Sequence, residues 1–298
     1  MNRRNITFLV PYNPRPLFAL VDQKEITKRT LITAGIPVPE TYAELAMLWD
    51  VRGLARVLEG RTEFVIKPAR GSGGGGVQVI ADRRGGDFVK ASGALISAAE
   101  LEGHCSDILA GAFSMSQRAD TALIEYRVKA DAVLGAISYR GVPDVRILVF
   151  RGVPVQAMIR LPTRASDGRA NLHMGGMAVG VDLATGVTTH GSLGRQPCAE
   201  HPDLACPVVG VAIPGWATIL DIAARCYDVV PLGYLGVDVV LDEDLGPLVL
   251  ELNARPGLTI QLANRRGLRP ALEAIAGMDT GALPAAERVR VGTELAAH

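Results

Sequence analysis

Three side chains that carry hard oxygen atoms interrupt an apolar stretch late in the sequence. Two strand-like runs are separated there by turn residues, and a hairpin with Glu243 opposite Gly246 would join them. In that register Asp238 lies opposite Glu251, and Asn253 follows two residues later on the same face. Carboxylate and amide oxygens suit a hard cation, so the pattern predicts Mg²⁺ held jointly with substrate phosphates.

The reverse face of this hairpin has no polar side chain, and we expect it to pack into a core. Its residues are Val237, Val239, Leu241, Leu248, Leu250 and Leu252. The alternative is a surface hairpin with scattered acids. A bare charge within an apolar stretch is costly, which favours the metal site.

A lysine followed by a glycine-rich loop gives a second candidate site. Lys67 lies in the strand-like run 64–68, and the loop Gly71–Gly76 leads into a second run at 77–80. Glycine N–H groups can close over phosphate because no Cβ keeps the backbone away. A strand follows this loop, whereas a helix follows a dinucleotide-binding loop, and no Walker pattern is present. Because Lys67 is fixed on the strand that enters the loop, phosphate binding is favoured over a flexible connector.

Polar and charged residues between positions 144 and 176 are further candidates. Arg146 and Arg160 lie inside the apolar strand runs 145–150 and 155–161, so each should pair with an anion, either a protein carboxylate or a ligand phosphate. The loop 162–176 is rich in hydrogen-bonding side chains and glycine, as functional loops often are. Its candidates for substrate binding are Arg164, Arg169, Asn171 and His173. Together with Arg160, these arginines suggest an anionic substrate such as glutamate, although internal ion pairs explain them equally well. His173 could be a general base, a hydrogen-bond donor or a satisfied polar residue.

Composition excludes several classes of protein. The 298 residues are 48% hydrophobic with a formal net charge of zero, which argues against binding to nucleic acid by bulk electrostatics. Aromatic residues make up 5%, too few for a base-stacking platform. The four cysteines form no CxxC pair and are interpreted as reduced thiols. Neither a secretory signal nor a membrane-spanning run is apparent, so we expect a cytoplasmic protein without membrane contact.

Local patterns predict the elements that would position these residues. We expect a strand at 6–10, helices at 22–35, 43–59 and 216–226, a strand at 122–128, a strand meander at 132–161 and a frayed tail at 277–298. The run 122–128 would separate two halves of the chain.

Taken in order, these motifs resemble the ATP-grasp superfamily. The similarity runs from Lys24 through Lys67 and its glycine loop, Glu125 and Asp238 to the Glu251–Gly257 run. Within the superfamily, the Asp144-Val-Arg146 and Asn171-Leu-His173 motifs are similar to those of α-L-glutamate ligases, and the runs 158–173 and 250–257 to the group called α-L-glutamate ligase-related proteins.

The resemblance implies an α+β fold in which two subdomains hold ATP between their sheets. We expect an N-terminal segment and helix at 1–42, a small subdomain at 43–127, a large subdomain with the metal site at 128–276 and a tail at 277–298. Many relatives have a full pre-grasp domain, and we expect the segment before Lys24 to be a reduced form of it. The substrate pocket would then be built from the 160–176 loop alone, or be completed by a partner protein or a second copy.

The resemblance also implies roles for individual residues. The nucleotide would be bound by Lys24, Lys67, Gly73, Gly74, Gly75, Glu125, Tyr126 and Val128. One or two Mg²⁺ ions, or Mn²⁺, would be held by Asp238, Glu251 and Asn253. Arg146, Arg255 and Lys67 would be catalytic and would meet phosphate or acyl-phosphate oxygens.

The expected activity is that of an ATP-dependent carboxylate–amine ligase acting through an acyl phosphate. Its substrates would be a small-molecule carboxylate and an amine, with glutamate or a similar amino acid, or a peptide, among them. The alternatives are a small-molecule kinase on the same fold and a catalytically silent nucleotide-binding module that regulates a partner.

Overall fold

The computed structural model describes residues 3–71, 74–114 and 118–297, which divide into two compact units. The large unit consists of Met1–Asp22, Ile26–Val38 and Lys129–His298, and the small unit consists of Gln23–Glu25 and Pro39–Val128. Most of the N-terminal segment thus belongs to the same unit as the second half of the chain.

Both units combine helices with antiparallel strands. The helices are α1 (Ala19–Asp22), α2 (Lys24–Thr33), α3 (Leu48–Val51), α4 (Leu54–Val57), α5 (Ala98–Leu109), α6 (Ala132–Gly135), α7 (Trp216–Val229), α8 (Thr259–Ala263), α9 (Arg269–Ala276) and α10 (Ala285–Ala297). A π-helical turn spans Asn5–Leu9, and 3₁₀ turns span Arg15–Phe18 and Leu172–Met174. The strands are β1 (Thr41–Leu45), β2 (Phe64–Pro68), β3 (Gln78–Arg84), β4 (Asp87–Lys90), β5 (Leu95–Ile96), β6 (Ala122–Glu125), β7 (Asp144–Phe150), β8 (Val153–Leu161), β9 (Met177–Val181), β10 (Thr188–Leu193), β11 (Gln196–Pro197), β12 (Tyr234–Asp242) and β13 (Gly246–Asn253). Within the described ranges, no helix combines the length and apolarity needed to cross a bilayer.

The small unit is built on a six-stranded antiparallel sheet in the order β1-β6-β2-β3-β4-β5. β2 and β3 form the hairpin predicted around the glycine-rich loop. Phe64 and Ile66 of β2 pack in one core with α5, which begins at a capping box between Ser97 and Glu100. This packing fixes the strand at whose end Lys67 lies.

The helix predicted at 43–59 is wrong at its start and is interrupted in its middle. Residues 41–45 form β1, which pairs with β6, and two single-turn helices, α3 and α4, follow. The reason is local capping: the Asp50 carboxylate accepts the N–H groups of Ala46 and Met47 at 2.9 and 2.8 Å. The helix therefore starts only at Leu48, and Gly53 separates it from the next turn.

The large unit is built on a seven-stranded antiparallel sheet in the order β11-β10-β9-β8-β7-β12-β13. Both faces are covered, as β7 shows: Val145, Ile147 and Val149 belong to the core that contains α7, whereas Leu148 and Phe150 belong to the core that contains α8 and α9. β7 and β8 form the predicted hairpin, with Arg151-Gly152 at positive φ in its turn. The start of the predicted meander is instead helix α6.

One face of this sheet changes from apolar to charged side chains along β7. At the end of the strand, Phe150 and Leu148 are apolar and buried with α8 and α9. Toward its start, Arg146 and Asp144 take the same alternating positions. The sheet therefore positions two charged side chains on a rigid strand beside an apolar core.

The hairpin of β12 and β13 has the predicted pairing at its functional end and a different pairing at its tip. Asp238 lies opposite Glu251, as predicted, but Asp242 rather than Glu243 lies opposite Gly246. A bulge between Asp238 and Val239 accounts for the one-residue difference.

The bulge also changes which residues of β13 face the core. Val249 pairs with Val239 and is buried in the core that contains α7, whereas Leu248 and Leu250, predicted for that face, are absent from it. A one-residue shift turns alternate side chains to the opposite face, so the prediction for these two residues is wrong. Val237, Val239, Leu241 and Leu252 do line this core.

Two predictions near the chain termini are also wrong. Residues 5–9 form a π-helical turn instead of a strand, with Phe8 and Leu9 buried. Residues 285–297 form helix α10 instead of a frayed tail. α10 packs closely on β8, because a Cβ built on Gly292 would lie 2.2 Å from the carbonyl oxygen of Pro154. This close contact and the burial of Arg288 hold the helix in place.

Replacement of Gly292 tests this packing. We expect Gly292→Ala to lower the free energy of unfolding by about 1–3 kcal/mol, because the new methyl group must displace the backbone of β8. Gly103→Ala, in α5 where a Cβ meets no atom within 4 Å, is the matched control and should stabilise by up to ~1 kcal/mol. Urea unfolding of both variants measures the difference, and equal effects would contradict a packed α10.

Candidate functional site

Two buried carboxylates and two largely buried arginines of the large unit form an arginine–carboxylate network: Asp144, Arg146, Arg160 and Asp238. Arg146 donates from Nε and Nη2 to the two carboxylate oxygens of Asp238 at 2.7 and 2.6 Å. Arg160 donates from Nε and Nη2 to Asp144 at 2.5 and 2.7 Å, and its Nη2 also reaches Asp238 Oδ2 at 2.7 Å. Strand pairing causes this arrangement, because Asp144 lies opposite Arg160 and Arg146 opposite Asp238.

The two carboxylates of the network differ in how firmly they hold their charge. Burial raises the pKa of Asp144 to about 6, and the Arg160 guanidinium offsets only part of that rise. Burial alone would also raise the pKa of Asp238, but two guanidinium groups lower it below its ordinary value. Asp238 is therefore the firmer anion and the centre of the network.

Both arginines keep one donor group unused. No hydrogen bond joins Nη1 of Arg146 or Arg160 to any described residue, and neither atom is among the fully buried ones. The side chains are nevertheless only 11% and 14% exposed. The result is two immobilised cations with accessible N–H groups, which is the arrangement that binds phosphate or carboxylate oxygens.

The predicted metal ligands Asp238, Glu251 and Asn253 lie on the paired strands β12 and β13 and differ in their surroundings. Both oxygens of Asp238 accept guanidinium N–H groups, one at Oδ1 and two at Oδ2, which leaves an acceptor position on Oδ1. Glu251 is exposed, and Asn253 Oδ1 accepts the N–H of Arg255 at 2.8 Å.

The predicted substrate-binding residues separate into two places. Arg160 belongs to the network on the sheet. In the loop, the Arg164 guanidinium lies 5.4 Å from the ring centroid of Tyr139, and Arg169 contacts Met174 Sδ at 3.6 Å. His173 is exposed.

The loop itself is held by short-range contacts. Asn171 Oδ1 accepts the N–H of His173 at 2.9 Å and caps the 3₁₀ turn. Outside the loop, the guanidinium of Arg255, the other predicted catalytic arginine, lies 4.7 Å from the ring centroid of Phe18. A Cβ on Gly141 would lie 1.9 Å from the carbonyl oxygen of Gly168, so this segment packs directly on the loop.

In the small unit, Lys67 forms a buried ion pair. Its Nζ lies 2.6 Å from Glu125 Oε2, and the two side chains are 11% and 3% exposed. β2 and β6 are paired neighbours, which brings the two side chains together. After β6, the N–H of Tyr126 donates to the carbonyl of Glu40 at 2.8 Å, and the unit ends at Val128.

The glycine-rich loop is anchored at both ends. Lys24 Nζ donates to the Gly71 carbonyl at 2.6 Å, and a Cβ on Gly71 would clash with the Pro68 ring at 2.3 Å. At the other end, the Gly76 carbonyl lies 2.8 Å from Nε2 of His104. The ends therefore require glycine and have defined partners.

The middle of the loop is described only in part. Gly74 adopts a φ of 81°, which favours glycine, and Gly75 follows it. Gly73, also predicted to bind the nucleotide, lies outside the described residues. The site residues predicted from the sequence did not include His104 or Asp144, although Asp144 belongs to the Asp144-Val-Arg146 motif and alternates with Arg146 along one strand.

Disruption of the Lys67–Glu125 pair tests its burial. We expect Lys67→Met to lower the free energy of unfolding by about 3–5 kcal/mol, because it leaves a buried carboxylate without its cation. The double variant Lys67→Met with Glu125→Leu should recover part of that loss. Lys90→Met, on β4 of the same unit, is the control and should change stability by about 0.5 kcal/mol or less. Additive losses in the double variant would contradict a coupled pair.

Comparison with known proteins identifies the fold. A family model described as sugar-transfer associated ATP-grasp matches residues 3–277. A search of curated proteins found no match. Among solved structures, the ATP-grasp ligase PsnB with the precursor peptide PsnA2 and AMPPNP is 17% identical over 89% of this chain and 61% of its own, with a TM-score of 0.48.

Other solved structures give similar values. The D-alanine–D-alanine ligase of Bacillus anthracis complexed with ATP is 15% identical over 94% of this chain and 69% of its own, with a TM-score of 0.47. The D-cycloserine synthetase DcsG is 18% identical over 96% and 73%, with a TM-score of 0.45. The chain spans 60–63% of the length of the PsnB chains.

The family match confirms the predicted superfamily and the α+β ATP-grasp fold. Its description refers to sugar transfer and does not name the α-L-glutamate ligase-related branch that the motifs resemble. Because the match takes in nearly the whole sequence, the chain belongs to the sugar-transfer associated ATP-grasp family.

Proposed function

We propose that this protein is an ATP-dependent carboxylate–amine ligase that forms an amide bond through an acyl phosphate. The observation that carries the proposal is the pair of buried arginines, Arg146 and Arg160, whose accessible Nη1 groups can bind an oxyanion. Membership of an ATP-grasp family supports ATP as the second reactant.

The small unit would bind the nucleotide. Lys24 and Lys67 supply positive charge, and the loop containing Gly73, Gly74 and Gly75 supplies backbone N–H groups for the phosphates. The segment from Glu125 through Tyr126 to Val128 would meet the adenine through backbone groups.

The metal would be held by the three predicted ligands, Asp238, Glu251 and Asn253. Glu251 is exposed and accepts no hydrogen bond within the described ranges, and the amide of Asn253 lies on the same strand end. Mg²⁺ is commonly bound through one or two carboxylates and completes its shell with phosphates and water, so this set fits one or two Mg²⁺ ions, with Mn²⁺ as an alternative. The ion would supply positive charge against the phosphate oxygens.

The chemistry needs alignment and charge neutralisation more than covalent help from the protein. A carboxylate oxygen attacks the γ-phosphorus, ADP leaves, and an amine then attacks the acyl carbon and expels phosphate. Arg146, Arg160 and Arg255 would bind the oxygens of the transferring phosphoryl group, and Lys67 would hold the nucleotide phosphates. Because the network fixes the first two guanidinium groups in advance, little reorganisation is needed when charge develops.

The carboxylate and the amine would be small molecules or peptides. Arg164, Arg169, Asn171 and His173 lie on one loop with hydrogen-bonding groups and two cations, which suits an acidic amino acid such as glutamate. The family description, which refers to sugar transfer, makes a hydroxyl acceptor the second candidate. In that case the protein would be a kinase, with the same phosphate-binding residues and no amine.

Glu251→Gln tests the assigned metal ligand. We expect ADP formation to fall ~10²–10³-fold, the usual cost of one lost electrostatic contact in a transition state, while the fold is retained. The control is Glu243→Gln in the turn of the same hairpin, which should keep the wild-type rate. Wild-type turnover in the Glu251 variant would refute its role.

A screen of ADP release separates the two candidate functions. Amino acids and short peptides are tested first as carboxylates and then as amines, and mass spectrometry identifies the products. With hydroxylamine present, a ligase converts its acyl phosphate to a hydroxamate, and we expect this product. Phosphorylated substrate without hydroxamate would indicate the kinase, and ATP binding without ADP release would indicate a silent module.

A further inference from the structure

We propose that Asp144 is a positioning residue that holds Arg160 beside Arg146, so that the two guanidinium groups form one anion site with Asp238 as their shared counterion. The inference rests on the proposed function only for its catalytic consequence. The anion site itself is a property of the large unit and can be tested without nucleotide or metal.

The orientation of Arg160 depends on Asp144. Two of the three hydrogen bonds of this guanidinium go to the two oxygens of Asp144, and they form a bidentate contact that fixes the plane of the group. The third bond goes from Nη2 to Asp238 Oδ2. Because Nε and Nη2 of Arg160 donate to these carboxylates, only Nη1 can donate to a ligand. The guanidinium group is planar, so the bonds of Nε and Nη2 also fix the direction of the Nη1 N–H groups.

The register of β7 and β8 places Asp144 and Arg160 in contact. Asp144 and Arg160 are directly paired residues of β7 and β8, which are joined by the tight turn at Arg151-Gly152. Arg146 is two residues from Asp144 on the same strand and so lies on the same face. The sheet therefore places the two guanidinium groups side by side, where they would repel each other without carboxylates between them.

The charge count distinguishes positioning from simple electrostatics. The network has two cations and two anions, and it would carry one net positive charge if Asp144 were made neutral. If bulk charge alone set anion affinity, Asp144→Asn would bind an anion more tightly than the wild type. If Asp144 acts by orienting Arg160, the same variant binds an anion more weakly, because the guanidinium loses its bidentate partner.

Asp238 is the counterion that the two guanidinium groups share. Its Oδ1 accepts one N–H and its Oδ2 accepts two, from two different arginines, and the side chain is 2% exposed. We therefore assign Asp238 as the counterion that keeps two neighbouring cations buried.

The experiment measures the response of the full chain to inorganic phosphate. Melting temperatures are recorded in sodium phosphate and in sodium chloride of equal ionic strength, with EDTA and without nucleotide. A ligand that binds only the folded state raises the melting temperature, and calorimetry gives its Kd. We expect the wild type to be stabilised by phosphate, and Asp144→Asn to bind phosphate at least ~10-fold more weakly, the effect of about 1.4 kcal/mol.

Two further variants keep the result interpretable. Arg160→Lys retains the charge but not the fork geometry and should also lose the phosphate response. Asp242→Asn is the control, because Asp242 is a buried aspartate of β12 whose oxygens accept N–H groups of Lys129, Asp244 and Leu245. It should lower the melting temperature yet leave the phosphate-induced increase unchanged.

Several outcomes would overturn the proposal. They are wild-type or tighter phosphate binding by Asp144→Asn, a full response in Arg160→Lys, and no response in the wild-type chain. Failure of the ligase assay is a separate result: if the wild type forms no ADP with any substrate but the phosphate measurements follow the expected pattern, the anion site stands and the proposed reaction falls.

Discussion

The bidentate contact between Arg146 and Asp238 is the interaction on which the large unit's site depends. Both side chains are almost fully buried, and each would be costly to hold there without the other. Their pairing places a cation and an anion at the point where one face of the sheet changes from apolar to charged. Arg160 and Asp144 extend the same arrangement to the next strand.

The bulge beside Asp238 connects this network to Glu251. At the bulge, β13 has one residue more than its partner strand, so Glu251 keeps its place opposite Asp238 while Val249 faces the core. Bulges commonly re-aim side chains next to functional sites. Here the bulge allows Val249 to face the core that contains α7 and also leaves the Glu251 carboxylate at the open end of the hairpin.

Local patterns predicted the contacts that are close in sequence and failed where distant strands decide the outcome. The pairing of Asp238 with Glu251 follows from one hairpin, so it could be derived from alternation and a turn. The partners of Arg146 and Arg160 could not, because β12 lies beside β7 only in the folded sheet. The choice between a protein carboxylate and a ligand phosphate therefore stayed open until the strand order was known.

Errors in the predicted elements have similar causes. The apolar stripe at 43–59 is compatible with a helix, but strand pairing of residues 41–45 with β6 satisfies their backbone groups and outweighs that periodicity. The Ala- and Gly-rich sequence after 277 gives little sign of packing. Gly292 is nevertheless what allows α10 to lie against β8. A residue without a side chain gives no hydrophobic signal, so a pattern of apolar residues cannot reveal this contact.

The small unit, like the large one, contains a buried cation that is paired with a carboxylate, but here the cation is a lysine. Lys67 is paired with Glu125 at 2.6 Å in a buried setting, as Arg146 is paired with Asp238. A cation buried in a protein without a bound ligand needs a counterion, because burial of an unpaired charge destabilises either the charged form of the group or the folded state. The ammonium group has three donors and a guanidinium five, so one carboxylate does not exhaust either. A resident counterion can thus hold each cation in place and still leave N–H groups for the oxygens of a ligand.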